Sequence, residues 1–255
     1  ALDSQPSDIE HLYVVTAVDS AGNESLASNS QYLNVTLLPV NNLSIVLEED
    51  SRPVLQWQHG ASNLEGFDLY QGEEGSQTLL STSRITTKQY QDDDYNSGET
   101  SNGALIERLY TVVAIDNQDS ESIGHSLRLP ALSVALNNAD NEVVLYRGIM
   151  NELSFRVVNS GSHDAQNIRL RVKAMDGSTS RSHLSENFSV SAGGFVDVPV
   201  VIGGYSGLDA LTTLSLSLEQ QPKAGESITI KQSASLQVGQ SALTATLEVD
   251  EFVRG

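Results

Sequence analysis

Asp92, Asp93 and Asp94 follow one another in the chain, and Glu99 stands a few residues beyond them. Calcium takes six to eight oxygen ligands, so carboxylates gathered on one loop are candidate ligands. The spacing is not that of an EF-hand. The stretch therefore reads first as a solvated acidic loop, with calcium as the alternative and no other cofactor implied. The run from Asn137 to Glu142 invites the same question at a junction between domains. Arg169, Arg171 and Lys173 alternate along one segment, which in a strand puts all three on one face. That stripe suits a neighbouring acidic domain or an anionic glycan. It equally suits a solvated sheet face or a guarded edge strand.

Nucleophilic chemistry has little to build on. Ser162, His163 and Asp164 are adjacent, but adjacency in sequence is not triad geometry. The serine in Gly203–Leu208 lacks the closing glycine of a nucleophile elbow. The histidines, His11, His59, His125, His163 and His183, show no metalloprotease spacing. The chain has no cysteine, which removes disulfides, zinc–thiolate sites and thiol nucleophiles together. No nucleophile, base and oxyanion-binding set converges, so no catalytic residue is assigned and no enzyme is expected within these residues. Tyr95 and Tyr205 are the loop aromatics that could contribute to a glycan platform.

The formal net charge is −19, from 33 acidic and 14 basic residues, a field that repels nucleic acid and anionic lipid. Hydrophobic residues make up 39% but aromatic ones only 5%, so the cores must be mainly aliphatic. No run approaches the ~18 consecutive apolar residues of a membrane helix, so no membrane insertion is expected.

The elements that must position these residues are strands. Apolar residues alternate at Ile168, Leu170, Val172 and Ala174, at Leu214, Leu216 and Leu218, and at Ile228 and Ile230. Period-two patterning of this kind, cut by turn clusters, indicates antiparallel sheets packed as β-sandwiches. One stretch repeats: "LYVVTAVDSAGNES" from Leu12 and "LYTVVAIDNQDSES" from Leu109 share seven of fourteen positions, with Tyr110 following Tyr13 by 97 residues. Each tyrosine is expected to turn its ring inward and give its hydroxyl a backbone partner, as in a tyrosine corner. Val15 with Ala17, and Val112 with Ala114, are expected to face a core. Asp19 and Asp116 should open the polar turn that follows.

The pattern Tyr-x-Val-x-Ala-x-Asp-x-x-Gly-Asn-x-Ser resembles the F strand and FG loop of fibronectin type III domains, in the form common in bacterial secreted proteins. "VLQWQHGASNLEGFDLYQG", from Val54 to Gly72, resembles the B and C strands of that family. The resemblance implies Trp57 as the core tryptophan, a turn at Gly66, Phe67 and Tyr70 on strand C, and strand E near Arg84–Asp92. Residues 39–134 then form a whole domain, and 1–38 the C-terminal strands of another. Residues 135–240 resemble CARDB-type bacterial immunoglobulin-like domains through "VVNSG", with Asn159 and Gly161 making a turn. "ALNNADNEVVLYRG" and "ALTATLEVDEFVRG" share their ends, so 241–255 reads as the start of a further β-domain.

The fold class expected is all-β: tandem immunoglobulin-like and fibronectin type III β-sandwiches with an incomplete first unit, cut from a longer array. The function that follows is non-catalytic. It is a spacer and interaction segment of a large secreted or cell-surface bacterial protein, held stiff by short linkers such as Leu37–Asn42 with its Pro39. Its partners would be neighbouring domains of the same polypeptide and a protein or glycan ligand. The alternatives are a glycan- or protein-binding accessory module, and a scaffold segment of a toxin or enzyme whose catalytic part lies elsewhere.

Overall fold

The computed structural model describes residues 11–28, 31–33, 37–49, 51–61, 64–95, 105–137, 144–176, 178–203 and 211–239. Every regular element among them is a strand. In chain order these are β1 (His11–Tyr13), β2 (Gln31–Leu33), β3 (Asn41–Leu47), β4 (Val54–Gln58), β5 (Leu64–Gln71), β6 (Thr78–Leu79), β7 (Gln89–Gln91), β8 (Arg108–Asp116) and β9 (His125–Leu129). There follow β10 (Leu132–Leu136), β11 (Val144–Tyr146), β12 (Met150–Asn159), β13 (Ala165–Asp176), β14 (Thr179–Leu184), β15 (Phe188–Val190), β16 (Phe195–Gly203), β17 (Leu211–Gln220) and β18 (Ser227–Gly239).

In the first sandwich, β3, β4 and β7 make one sheet and β6, β5, β8 and β9 the other. This is a fibronectin type III-like arrangement. Trp57 on β4, Phe67 on β5 and Tyr110 on β8 are all buried in the core between them. The Trp57 and Phe67 rings meet edge to face with centroids 5.3 Å apart, a geometry worth about 0.5–1.5 kcal/mol beyond burial alone. Gly66 makes no turn. It lies inside β5 at a register shift against β8, where a Cβ would come 2.6 Å from the Ile85 carbonyl oxygen. A residue without a side chain is what lets the backbone of Ile85 bond to Phe67 here.

The second sandwich packs β10, β12 and β16 against β14, β13, β17 and β18, with β15 beside β13 and β11 beside β18. Ile168, Leu170, Val172 and Ala174 all face inward, as do Leu214, Leu216, Leu218, Ile228 and Ile230. They meet Leu153, Phe155 and Val157 of β12 and Val198, Val200 and Ile202 of β16. The alternation on β13 is broken once. Ala165 and Ile168 are both buried, and the extra residue between them sits at a register shift with Asn167 at φ 56°, the signature of a bulge. Asn159 fastens the turn after β12. Its Oδ1 accepts the Gly161 N–H at 3.0 Å, and its amide donates to the carbonyls of His163 and Val190.

The turn that closes the internal repeat recurs in the structure. Asp19 Oδ1 accepts the N–H groups of Ala21 and Asn23, both at 2.9 Å; 97 residues later Asp116 Oδ1 accepts those of Gln118 and Ser120, both at 2.8 Å. Ser25 Oγ takes the N–H of Ala17 as Ser122 Oγ takes that of Ala114. The left-handed position is Gly22 at φ 83° in one copy and Asp119 at φ 60° in the other. Asp19 is held below its usual carboxylate value chiefly by the Asn23 side-chain amide, which donates to Oδ2 at 2.9 Å, and then by the Asn23 N–H; Asp116 is held down chiefly by the Ser120 N–H.

Two expectations for this motif are corrected. The Tyr110 hydroxyl donates to the Asp92 carboxylate at 2.7 Å, not to backbone. Val15 is 72% exposed and Ala17 is exposed too, because no sheet faces the β1–β2 ribbon among the described residues. The side chain of Tyr13, Glu99, Tyr205, residues 1–10, most of Asn137–Glu142 and all of 241–255 lie outside the described residues.

Candidate functional site

The two sandwiches meet with no slack between them. β9 ends at Leu129 and β10 begins at Leu132, so Pro130 and Ala131, both buried, are the whole connection. The Ala131 carbonyl accepts the backbone N–H of Ser160 at 3.0 Å. Beside this connector the sheets run on from one sandwich into the other. The end of β3 pairs in parallel with the start of β18, Ser44 opposite Ser227 through Leu47 opposite Ile230. The far end of β18 pairs with β11. Two strands thus share one β18 edge, covering backbone groups that an open edge would offer to other chains.

Side chains lock the seam at both flanks. On one, His125 of β9 reaches the Val40 carbonyl oxygen with Nδ1 at 2.7 Å and Glu226, just before β18, with Nε2 at 3.0 Å. Glu226 is buried. On the other, Glu107, beside β8, accepts from Ser162 N at 3.0 Å, Ser162 Oγ at 3.1 Å, His163 N at 3.2 Å and Arg128 at 3.0 Å, and also bonds His163 Nδ1. Burial pushes its carboxyl up, but the donors from His163 and Ser162 outweigh it and hold the group below the usual range. Lys231 of β18 pairs with Glu48 after β3. The segment from Leu37 packs down rather than bridging freely. Leu37 and Val40 are buried, and His59 Nε2 bonds the Leu38 carbonyl at 2.7 Å.

Ser162, His163 and Glu107 come close to a triad in composition but not in geometry. Ser162 Oγ and Glu107 Oε1 both lie at the same ring nitrogen, Nδ1; a proton relay needs them on opposite nitrogens. Asp164 turns away and accepts the Ala192 N–H at 2.8 Å.

The acidic run diverges. Asp92 is buried, with Oδ2 taking Tyr110 and Arg108 and Oδ1 taking the Asp94 N–H at 3.1 Å. Asp93 is exposed and bonds Arg52 at 2.6 Å and Gln91 at 2.9 Å. Asp94 is exposed as well. Among the described residues no three His, Asp or Glu side chains gather as a metal site. Tyr95, expected as a loop aromatic, is buried; its hydroxyl donates to the Ile106 carbonyl at 3.1 Å, and Arg108 lies over its ring at 5.3 Å.

Arg169, Arg171 and Lys173 do share a face, but on an inner strand: β13 has β17 on one side and β14 and β15 on the other. Arg171 holds Glu219, with the Nη2 bond at 2.9 Å, and Arg169 Nε donates to Asn187 Oδ1 at 2.7 Å. Lys173 is exposed and has no partner among the described residues. Arg169 also lines a cleft of about 800 Å³ at the end of this face, where Asn167, Asn187 and the β17–β18 turn close around it. Sequence reasoning missed both the cleft and the seam. The near-continuous period-two run of Asn41–Leu47 was a faint signal for the seam; nothing in the sequence announced which edge it would meet.

No family model and no curated protein matches the chain. Solved structures do resemble it. One is from work on host cell surface retention of a 1.5-MDa bacterial ice-binding adhesin: 14% identical, covering 89% of this chain and 73% of that one, TM-score 0.30. A two-domain fibronectin type III segment of chicken tenascin is 11% identical, with coverage of 78% and 98% and TM-score 0.27. The fibronectin(III)-like modules of Clostridium thermocellum CbhA are 13% identical, with 83% and 94% covered and TM-score 0.26. The sandwich assignment for this chain rests on the strand order and register above. Among the described residues no helix is long and apolar enough to cross a membrane.

Proposed function

We propose that this chain is a non-catalytic structural and interaction segment of a large secreted or cell-surface bacterial protein, and that its work is to hold neighbouring modules at a fixed relation. In this reading the whole units are a fibronectin type III type sandwich reaching Leu129 and a CARDB-like immunoglobulin type sandwich from Leu132, in place of the expected boundary at 134/135, with Pro130–Ala131 as the connector. The observation that carries the reading is the seam: a two-residue buried connector, a shared β18 edge and two side-chain locks leave no free hinge. A flexible tether would have a long, polar, exposed linker instead. The acidic surface suits a segment that stays soluble and apart from its copies.

The absence of cysteine makes the test clean. Cysteines placed at Glu74 and Ser180, both exposed and on different sandwiches, take spin labels without competition. Pulsed electron resonance should give one narrow distance distribution. Inserting Gly-Ser-Gly-Ser between Pro130 and Ala131 should broaden it. A broad distribution in the unaltered chain would overturn the reading.

A further inference from the structure

The outward face of the second sandwich is built in rows. Cross-strand register places Arg169, Glu219 and Thr229 side by side, then Arg171, Ser217 and Lys231, then Lys173, Ser215 and Ser233. Each row begins with a cation on β13, and the cations step along that strand by two residues, about 6.6 Å. Serine and threonine fill most of the other positions, so the face presents hydroxyls and positive charge on a chain whose net charge is −19.

The first row runs into the cleft of about 800 Å³. Two features there bear on a ligand. Arg169 uses Nε on the neutral Asn187 and makes no ion pair among the described residues. Its remaining guanidinium N–H groups are free to grip a carboxylate. Asn167 lines the cleft from a left-handed backbone at the bulge, a conformation that costs free energy wherever it is held.

We propose that this cleft and the rows leading from it bind an acidic polysaccharide, with Arg169 on one ring carboxylate and Lys173 on another further along the sheet, while Arg171 between them stays with Glu219. A neutral glycan would leave Arg169 and Lys173 unanswered. A nucleic acid would bring a denser negative charge against an acidic protein and would find no aromatic platform on the rows. The inference adds a ligand to the scaffold and does not depend on the stiffness of the joint.

The test is titration of the full chain, labelled with nitrogen-15, with hexameric oligogalacturonate and hexameric oligomannuronate, against maltohexaose and a single-stranded DNA dodecamer. One of the uronates should shift the amide signals of Arg169, Gln220, Gln221 and Thr229. Arg169→Ala should weaken that binding about tenfold and Lys173→Ala about threefold, each about what one charge-assisted contact contributes. Arg156→Ala, on the other sheet, should leave it unchanged. Silence with both uronates, an equal response to maltohexaose, tighter binding of the DNA, or indifference to Arg169→Ala would each overturn the proposal. The spin-label distances read the joint separately, so either idea can fail alone.

Discussion

His125 and Glu226 face each other at 3.0 Å across the joint although they are 101 residues apart in the chain. The other ring nitrogen of His125 lies 2.7 Å from the Val40 carbonyl oxygen. The ring presents one nitrogen to each of two neighbours from different parts of the chain. One side chain thus ties the entry of β3, the edge strand β9 and the start of β18. Removing it strands a buried carboxylate, which Lys223, 4.0 Å off and well exposed, compensates poorly.

His125→Ala is therefore expected to cost about 3 kcal/mol, and His125→Ala with Glu226→Gln clearly less than the single change, because the second substitution removes the stranded charge. Urea unfolding of the two variants checks this. Equal losses would mean that the pair is not coupled.

Asp92 anchors the first sandwich from within. Its carboxylate is buried and receives both Tyr110 and Arg108. Burial and the adjacent Asp92 charge push the Tyr110 hydroxyl far above its ordinary range, so it stays a donor at any working pH. Asp92→Ala should cost about 3–5 kcal/mol by leaving Arg108 unpaired, and Tyr110→Phe about 1 kcal/mol because Arg108 still holds the carboxylate. Denaturant midpoints give the order. Calcium should not raise the melting temperature through Asp92, whose oxygens are already taken.

The strands were legible where one face is buried and the other wet, as at Ile168–Ala174 and Leu214–Leu218, because period-two alternation reports a half-buried strand directly. The turn at Asp116 was legible because its residue types, and those at Asp19, are the ones that bond their own backbone. The acidic run was misleading. Three adjacent aspartates look alike in sequence, yet the turn that follows β7 sends Asp92 inward and Asp93 outward, and only the position of Arg108 and Tyr110 on another strand explains why a buried charge is tolerated. The cleft was hidden for a similar reason: Asn167, Arg169, Asn187 and Gln220 come from two strands and a loop, and the bulge that brings Asn167 to the cleft is a matter of register.

Asp119 occupies the left-handed position that Gly22 fills in the other copy of the turn. Asp119→Gly relieves that backbone and loses only an exposed contact with Arg84. It should stabilise by up to about 1 kcal/mol, whereas Asp119→Val should destabilise by about 1–2 kcal/mol, since a β-branched side chain resists positive φ. Thermal melting of both variants reads the difference. If glycine and valine behaved alike, backbone conformation would not be what the position selects.

Glu107 makes the joint sensitive to acid. Its carboxyl is held below its ordinary value of 4.5 by the donors of His163 and Ser162 against the opposing effect of burial. A carboxyl depressed on folding contributes stability that is present above the unfolded value and lost as pH falls through the folded one. The unaltered chain should therefore exceed Glu107→Gln in melting temperature at pH 6–7. The gap should narrow as pH falls below 4.5, and the spin-label distance across the joint should broaden over the same interval. A gap constant from pH 7 to pH 3 would show that Glu107 acts there through shape and neutral hydrogen bonds alone, and the acid response of the joint would have to come from another group.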